Sequence, residues 1–234
     1  MPQGQERCGS NHRIGTAFAL TPTIRSISGP HPDPMSLSKT AVLLIGFQND
    51  YFAEDGILHG VLESHERSES VLKRTLDLLG ELGETDACFI NVPILFSADY
   101  NELVNPVGLM AKIRELGAFR RDTKGGEVAP ELVALGERVE HVHGKTGFNA
   151  FNGTKLHERL QELGVEHVIL CGVVTSVCID STGRAANELG YKVTVLSDCI
   201  AGRSATEQDF YCDDVFPLYA EVCESDALRR DVTA

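Results

Sequence analysis

The stretch from Ile169 to Ala186, ILCGVVTSVCIDSTGRAA, sets a cysteine in a context suited to chemistry. Residues 167–174 (HVILCGVV) are apolar and β-branched nearly throughout, as in a strand buried on both faces of a parallel sheet. Thr175 and Ser176 are N-cap types, and Ser181, Gly183, Ala185 and Ala186 suit a closely packed helix. Cys178 is therefore expected at the start of a helix, where the dipole and the unpaired backbone N–H groups favour the nucleophilic thiolate. The plainer alternative is one more buried core cysteine, and the strand–turn–helix context argues against it. Lys145, in HGKTGFNAF, also follows a short strand. A lysine brought beside a cysteine stabilises the thiolate by charge and can hold a substrate carbonyl or carboxylate.

A regular alternation of strands and helices must position these two side chains. Strands are expected over residues 40–47 (TAVLLIGF), 87–96 (ACFINVPILF), 138–142, 167–174, 191–196 (YKVTVL) and 219–223 (YAEVC). Between them run helices at 66–82, 154–163, the stretch after Cys178 and 205–217, with a short one at 107–116. Such alternation predicts a three-layer α/β/α fold around a doubly wound, six-stranded parallel sheet. Ligands then bind beyond the carboxyl ends of the strands, where the strand order reverses. GFQNDYF, FSADYNEL, HGKTGFNAF and GVVTSVC all fall at those ends. The long connection at 98–130 is expected to line or cover the pocket. Residues 1–38, rich in Gly, Pro, Ser, Thr and Arg, read as a disordered leader or an oligomer arm, and 39–234 as a single domain.

The chain has 42% hydrophobic and 24% charged residues, which are ordinary globular values. A formal charge of −13 argues against nucleic acid or an anionic membrane as partner. No apolar run is long enough for a membrane span. The seven cysteines lack close pairing, so neither a zinc site nor a disulfide framework is expected, and a cytoplasmic setting fits best.

GFQNDYF, KTGFNAFNGTKL, GVVTSVC and GYKVTVLSDCIAG together resemble the isochorismatase-like cysteine hydrolases, which include nicotinamidases and N-carbamoylsarcosine amidase. The resemblance covers about residues 39–224. It implies an Asp–Lys–Cys triad, with Lys145 and Cys178 in the last two roles. It also implies a cis peptide between Val173 and Val174, with the Val174 and Cys178 N–H groups forming an oxyanion hole. The implied reaction is attack of Cys178 on a carbonyl carbon, loss of ammonia or an amine, and hydrolysis of the thioester. Gly46, Tyr51, Val173, Thr175 and Ser176 are expected to face the substrate, with Phe47 as a further aromatic wall or simply core. FSADYNELVNP lacks the histidines with which nicotinamidases hold a metal, so no metal and no cofactor are expected. The partner expected is a small-molecule substrate, in a homo-oligomer (dimer or tetramer).

One position departs from the family. Its aspartate, two residues before the Gln of QND, is Gly46 here. Asp50, His143 or the substrate itself is left to move the proton, and QND's own aspartate has a turn or cap role as its usual one. Restoring the residue with Gly46→Asp is expected to raise amide turnover at least about tenfold. The reading that follows is a cysteine-dependent hydrolase of an amide, carbamoyl or ureido C–N bond. Its alternative is an impaired pseudoenzyme that binds a small carbonyl ligand or a protein partner, and a thiol redox sensor comes third.

Overall fold

The computed structural model describes residues 36–62 and 65–228. Residues 1–35, and with them nearly all of the expected leader, lie outside it. Leu37–Lys39 form one 3-10 turn, and Leu37 packs against the core just ahead of β1 (Thr40–Ile45). There follow α1 (Asn49–Phe52), α2 (His65–Glu81), β2 (Cys88–Val92), α3 (Gly108–Leu116), α4 (Pro130–Val133), β3 (Val139–His141) and α5 (Leu156–Glu162). The second half comprises β4 (His167–Val173), α6 (Asp180–Glu188), β5 (Lys192–Ala201), α7 (Ala205–Phe210) and β6 (Glu221–Cys223). The strands make one six-stranded sheet in the order β3-β2-β1-β4-β5-β6, and every pairing is parallel. The chain builds outward from β1 to β3, returns to lay β4 beside β1, and builds outward the other way. Crossovers of one hand then place their helices on opposite faces in the two halves. The reversal between β1 and β4 opens a crevice at their carboxyl ends.

The period-two alternation of β1 divides the core. Val42 and Leu44 join Val71, Leu78, Leu79 and Leu82 of α2 on one face. Ala41, Leu43 and Ile45 join Leu156 and Leu160 of α5 and Ala186 of α6 on the other. Each such aliphatic side chain larger than alanine contributes about 1.5–3 kcal/mol when fully buried. A strand walled by helices on both sides has no polar face, which is why TAVLLI reads as an unbroken apolar run.

Two elements differ from the sequence expectation. β5 runs to Ala201, well past Leu196, where the polar pair Ser197-Asp198 breaks the apolar pattern. The pairing of β4 with β5 shifts register between Leu170 and Gly172, then resumes with Gly172 opposite Ile200. Asp198 is accommodated there because its carboxylate accepts from the Ser225 N–H at 2.8 Å and the Ser225 hydroxyl at 2.6 Å. The helix expected over 205–217 ends at Phe210, continues as a wide π turn (Tyr211–Val215), and closes as a 3-10 turn holding Pro217.

Candidate active site

Past Pro93 the chain from β2 keeps its direction and pairs with the residues after β3. Ile94 bridges Lys145 in parallel, and the Leu95 N–H donates to the Lys145 carbonyl at 3.1 Å. This short ladder carries Lys145 to the carboxyl ends of the central strands. Gln48, which immediately follows Gly46-Phe47 after β1, fixes the same ladder from the other side. Its amide nitrogen donates to the Ile94 and Gly126 carbonyls at 2.9 and 2.8 Å, and its amide oxygen accepts from the Ile94 N–H at 2.9 Å. Gln48 is fully buried. Sequence reasoning missed this positioning role, although a glutamine directly after a buried apolar strand was the available signal.

β4 ends at Val173, and the peptide bond between Val173 and Val174 is cis. Thr175–Ile179 then form a π turn that feeds directly into α6, with Cys178 two residues before that helix. The Val174 carbonyl accepts from the N–H groups of Val177 and Ile179, at 3.0 and 3.3 Å. The capping expected from Thr175 and Ser176 is not found: the turn has no side-chain cap. Thr175 is instead fully buried and donates its hydroxyl to Gln208 Oε1 at 2.6 Å, tying the turn to α7. That engagement also answers the substrate-facing role expected for Thr175, since its side chain is spent on packing. Ser176, beside it, is partly exposed.

The turn and the ladder bring Lys145 and Cys178 together. Lys145 Nζ donates to Cys178 Sγ at 3.6 Å, with Lys145 1% and Cys178 5% exposed. A buried ammonium against a buried sulfur is costly unless the two compensate each other, so this contact is built rather than incidental.

Gly46 closes the crevice at the end of β1 with a φ of +79°. A Cβ there would lie 2.8 Å from the Val173 carbonyl oxygen, 3.0 Å from Val173 Cγ2 and 3.6 Å from Tyr51 Cε2. Gly46, Val173 and Tyr51 therefore converge on one small volume. The backbone that would have to carry an aspartate at position 46 is in the left-handed region and faces a carbonyl. An aspartate there would be strained, which counts against the tenfold gain in turnover expected for Gly46→Asp.

Tyr51 is 3% exposed, and its ring packs at a tilt on Phe119 with centroids 5.1 Å apart. Burial first, then the negative charge of Cys178 and that of Asp50, hold the Tyr51 hydroxyl well above the ordinary phenol range. Asp50 itself is buried and accepts from the Phe119 N–H at 2.5 Å and the Ile57 N–H at 3.4 Å. Those bonds spend the carboxylate on fastening two loops. His143 is exposed and stacks at 6.4 Å on His141, whose ring burial, then His143, pushes below the usual histidine range. Both histidines line a cleft of about 640 Å³ with Pro93, Leu95, Glu127 and Val128, and that lining includes neither Cys178 nor Lys145. Phe47 is fully buried and stacks on Phe52, which makes it core.

Fold and crevice define a doubly wound α/β protein with a cysteine–lysine pair at its switch point. The isochorismatase domain family matches residues 40–227, and the chain belongs to that family of hydrolases. It is 27% identical over 184 residues to the ureidoacrylate amidohydrolase of Agrobacterium fabrum, covering 71% of this chain and 78% of the relative. It is 30% identical over 171 residues to a probable inactive nicotinamidase of Arabidopsis thaliana, covering 69% of this chain and 80% of the relative. The crystal structure of a cysteine hydrolase from Pseudomonas syringae pv. phaseolicola superposes with a TM-score of 0.76 at 22% identity, over 86% of this chain and 95% of that one. Among the described residues no helix is long and apolar enough to cross a membrane.

Proposed function

We propose that this chain hydrolyses the C–N bond of an amide, carbamoyl or ureido substrate through a thioester on Cys178. The observation that carries the reading is the buried contact of 3.6 Å between Lys145 Nζ and Cys178 Sγ, at the carboxyl ends of the central strands. Cys178 attacks the carbonyl carbon, and Lys145 supports the sulfur as an anion and orients the substrate oxygen. The N–H groups of Val174 and Cys178 receive the oxyanion that develops. Gly46, Tyr51, Val173 and Ser176 form the wall beside the reacting carbonyl. The amidohydrolase among the relatives supports the choice of bond.

The test is ammonia or amine release from a panel of primary amides, N-carbamoyl amino acids and ureido acids, with Cys178→Ala as the blank. Mass spectrometry of the quenched enzyme looks for the acyl adduct. Release that depends on Cys178, with an adduct on that residue, supports the proposal. Equal release by Cys178→Ala, or no release from any member, overturns it. The second reading, a ligand-binding pseudoenzyme, draws on Gly46 standing where the family resemblance places its acid. It predicts saturable binding of small carbonyl compounds with no adduct. We further propose a homo-oligomer; a monomeric mass at micromolar concentration refutes that assignment.

A further inference from the structure

We propose that Tyr51 supplies the proton to the leaving nitrogen, taking the place of the side chain that Gly46 lacks. The inference rests on the hydrolase reading above and assigns its missing acid. Three observations carry it. The first is position. Tyr51 Cε2 comes within 3.6 Å of where a Gly46 Cβ would stand, and the phenolic oxygen is two bonds from that carbon. The edge of the tyrosine that bears the hydroxyl therefore occupies the neighbourhood an acidic side chain at position 46 would fill. The second is access. Among the described residues the Tyr51 hydroxyl makes no hydrogen bond, and its oxygen is not one of the fully enclosed polar atoms without a partner, which are Thr75 Oγ1 and Asn91 Oδ1, so it can bond to a group from outside the chain. The third is elimination. Asp50 is committed to the Phe119 and Ile57 N–H groups, and His143 stands exposed in a cleft whose lining includes neither Cys178 nor Lys145. The negative charge of Cys178 also reaches Tyr51, which together with burial keeps the phenol protonated through the neutral range.

The step balances without a further reagent. The Cys178 thiolate bonds to the carbonyl carbon. As the C–N bond breaks, the nitrogen takes the Tyr51 proton and leaves as the neutral amine or ammonia. Tyr51 is then a phenolate beside a thioester. It takes a proton from the attacking water, whose oxygen bonds to the carbonyl carbon. The C–S bond breaks with its electron pair on sulfur, which regenerates the Cys178 thiolate and the Tyr51 phenol. The carboxylic acid product loses its proton to solvent.

A phenol donor matters only when the leaving group needs a proton. The test therefore compares an amide with the p-nitrophenyl ester of the same acyl group, because p-nitrophenolate leaves unprotonated. Tyr51→Phe keeps the ring packed on Phe119 and removes the hydroxyl alone. It is expected to cut amine release about a hundredfold or more while leaving the ester burst within about threefold of the parent. Unchanged amide turnover overturns the proposal, and so does an equal loss on amide and ester, which assigns Tyr51 to packing. A variant-free measurement stands beside it: across amides of one acyl group whose leaving amines fall in basicity, the parent rate is expected to vary less than about tenfold. A steep rise as basicity falls refutes a donor. If the parent releases amine through Cys178 and Tyr51→Phe matches it, the hydrolase reading stands and only this assignment falls. If neither amine nor an ester burst depends on Cys178, the hydrolase reading itself fails.

Discussion

Replacing Gly46 by alanine isolates the backbone demand at the end of β1. The residue sits at a φ of +79°, where an L side chain costs about 1–2 kcal/mol. The new Cβ would approach the Val173 carbonyl oxygen to 2.8 Å, closer than carbon and oxygen tolerate. Overpacking of this kind typically adds about 1–3 kcal/mol. The Val173 backbone cannot yield cheaply, because it belongs to β4, which is paired on both sides. The two contributions give an expected loss of roughly 2–5 kcal/mol, a large part of the stability of an ordinary domain. Urea unfolding measures it: with a slope near 2 kcal/mol/M, a loss of about 3 kcal/mol lowers the midpoint by about 1.5 M. Gly80→Ala is the internal control, since Gly80 lies in α2 with nothing within 4 Å of its added Cβ. It is expected to gain about 0.4–1 kcal/mol. A Gly46→Ala protein within about 0.5 kcal/mol of the parent refutes the reasoning, because it would mean that the β1–β4 junction yields freely. Gly46→Asp inherits the same strain and is expected to gain no amide turnover.

Lys145→Met keeps the apolar stem and removes the cation beside Cys178. Alkylation of Cys178 by iodoacetamide at neutral pH is expected to slow about tenfold or more, given the strength of a charge interaction at this separation in a buried site; an unchanged rate, read by peptide mass spectrometry, refutes the pairing. His167, buried against the Thr194 hydroxyl at 2.8 Å, is pulled down to about 4 by burial and secondarily by Lys192. The unfolded chain takes up this proton near the usual histidine value of about 6.5, so between there and 4 it binds more protons than the folded one. Stability is therefore full above that window and is lost as pH falls through it, by about 2 kcal/mol between pH 7 and pH 5. His167→Gln should flatten this part of the urea midpoint profile; a parent and variant with parallel profiles would show that His167 does not titrate as described.

The sheet was legible because its strands are buried on both faces, so hydrophobicity alone marks them. The register shift in β5 was not, because Ser197 and Asp198 read as a strand end unless Ser225 is known to satisfy the carboxylate. Lys145 and Cys178 could be paired from sequence, since both follow strands and parallel strands deliver their carboxyl ends to one edge. Gln48 and Thr175 were opaque for a shared reason: each bonds to a distant segment, Ile94 and Gln208 respectively, that no local pattern names.

Gly46 and Tyr51 show how far a motif can be read one position at a time. In GFQNDYF the glycine reads as a lost acid and the tyrosine as an aromatic wall, five residues apart and independent. Folding α1 back over the end of β1 makes them neighbours, with the tyrosine's edge against the space above the glycine. The glycine's left-handed backbone makes regaining the carboxylate by a single substitution costly, and the tyrosine's ring edge lies 3.6 Å from the place where that side chain would begin. Under the proposal, the absent acid at one position and the protic group at the other are, in three dimensions, one exchange.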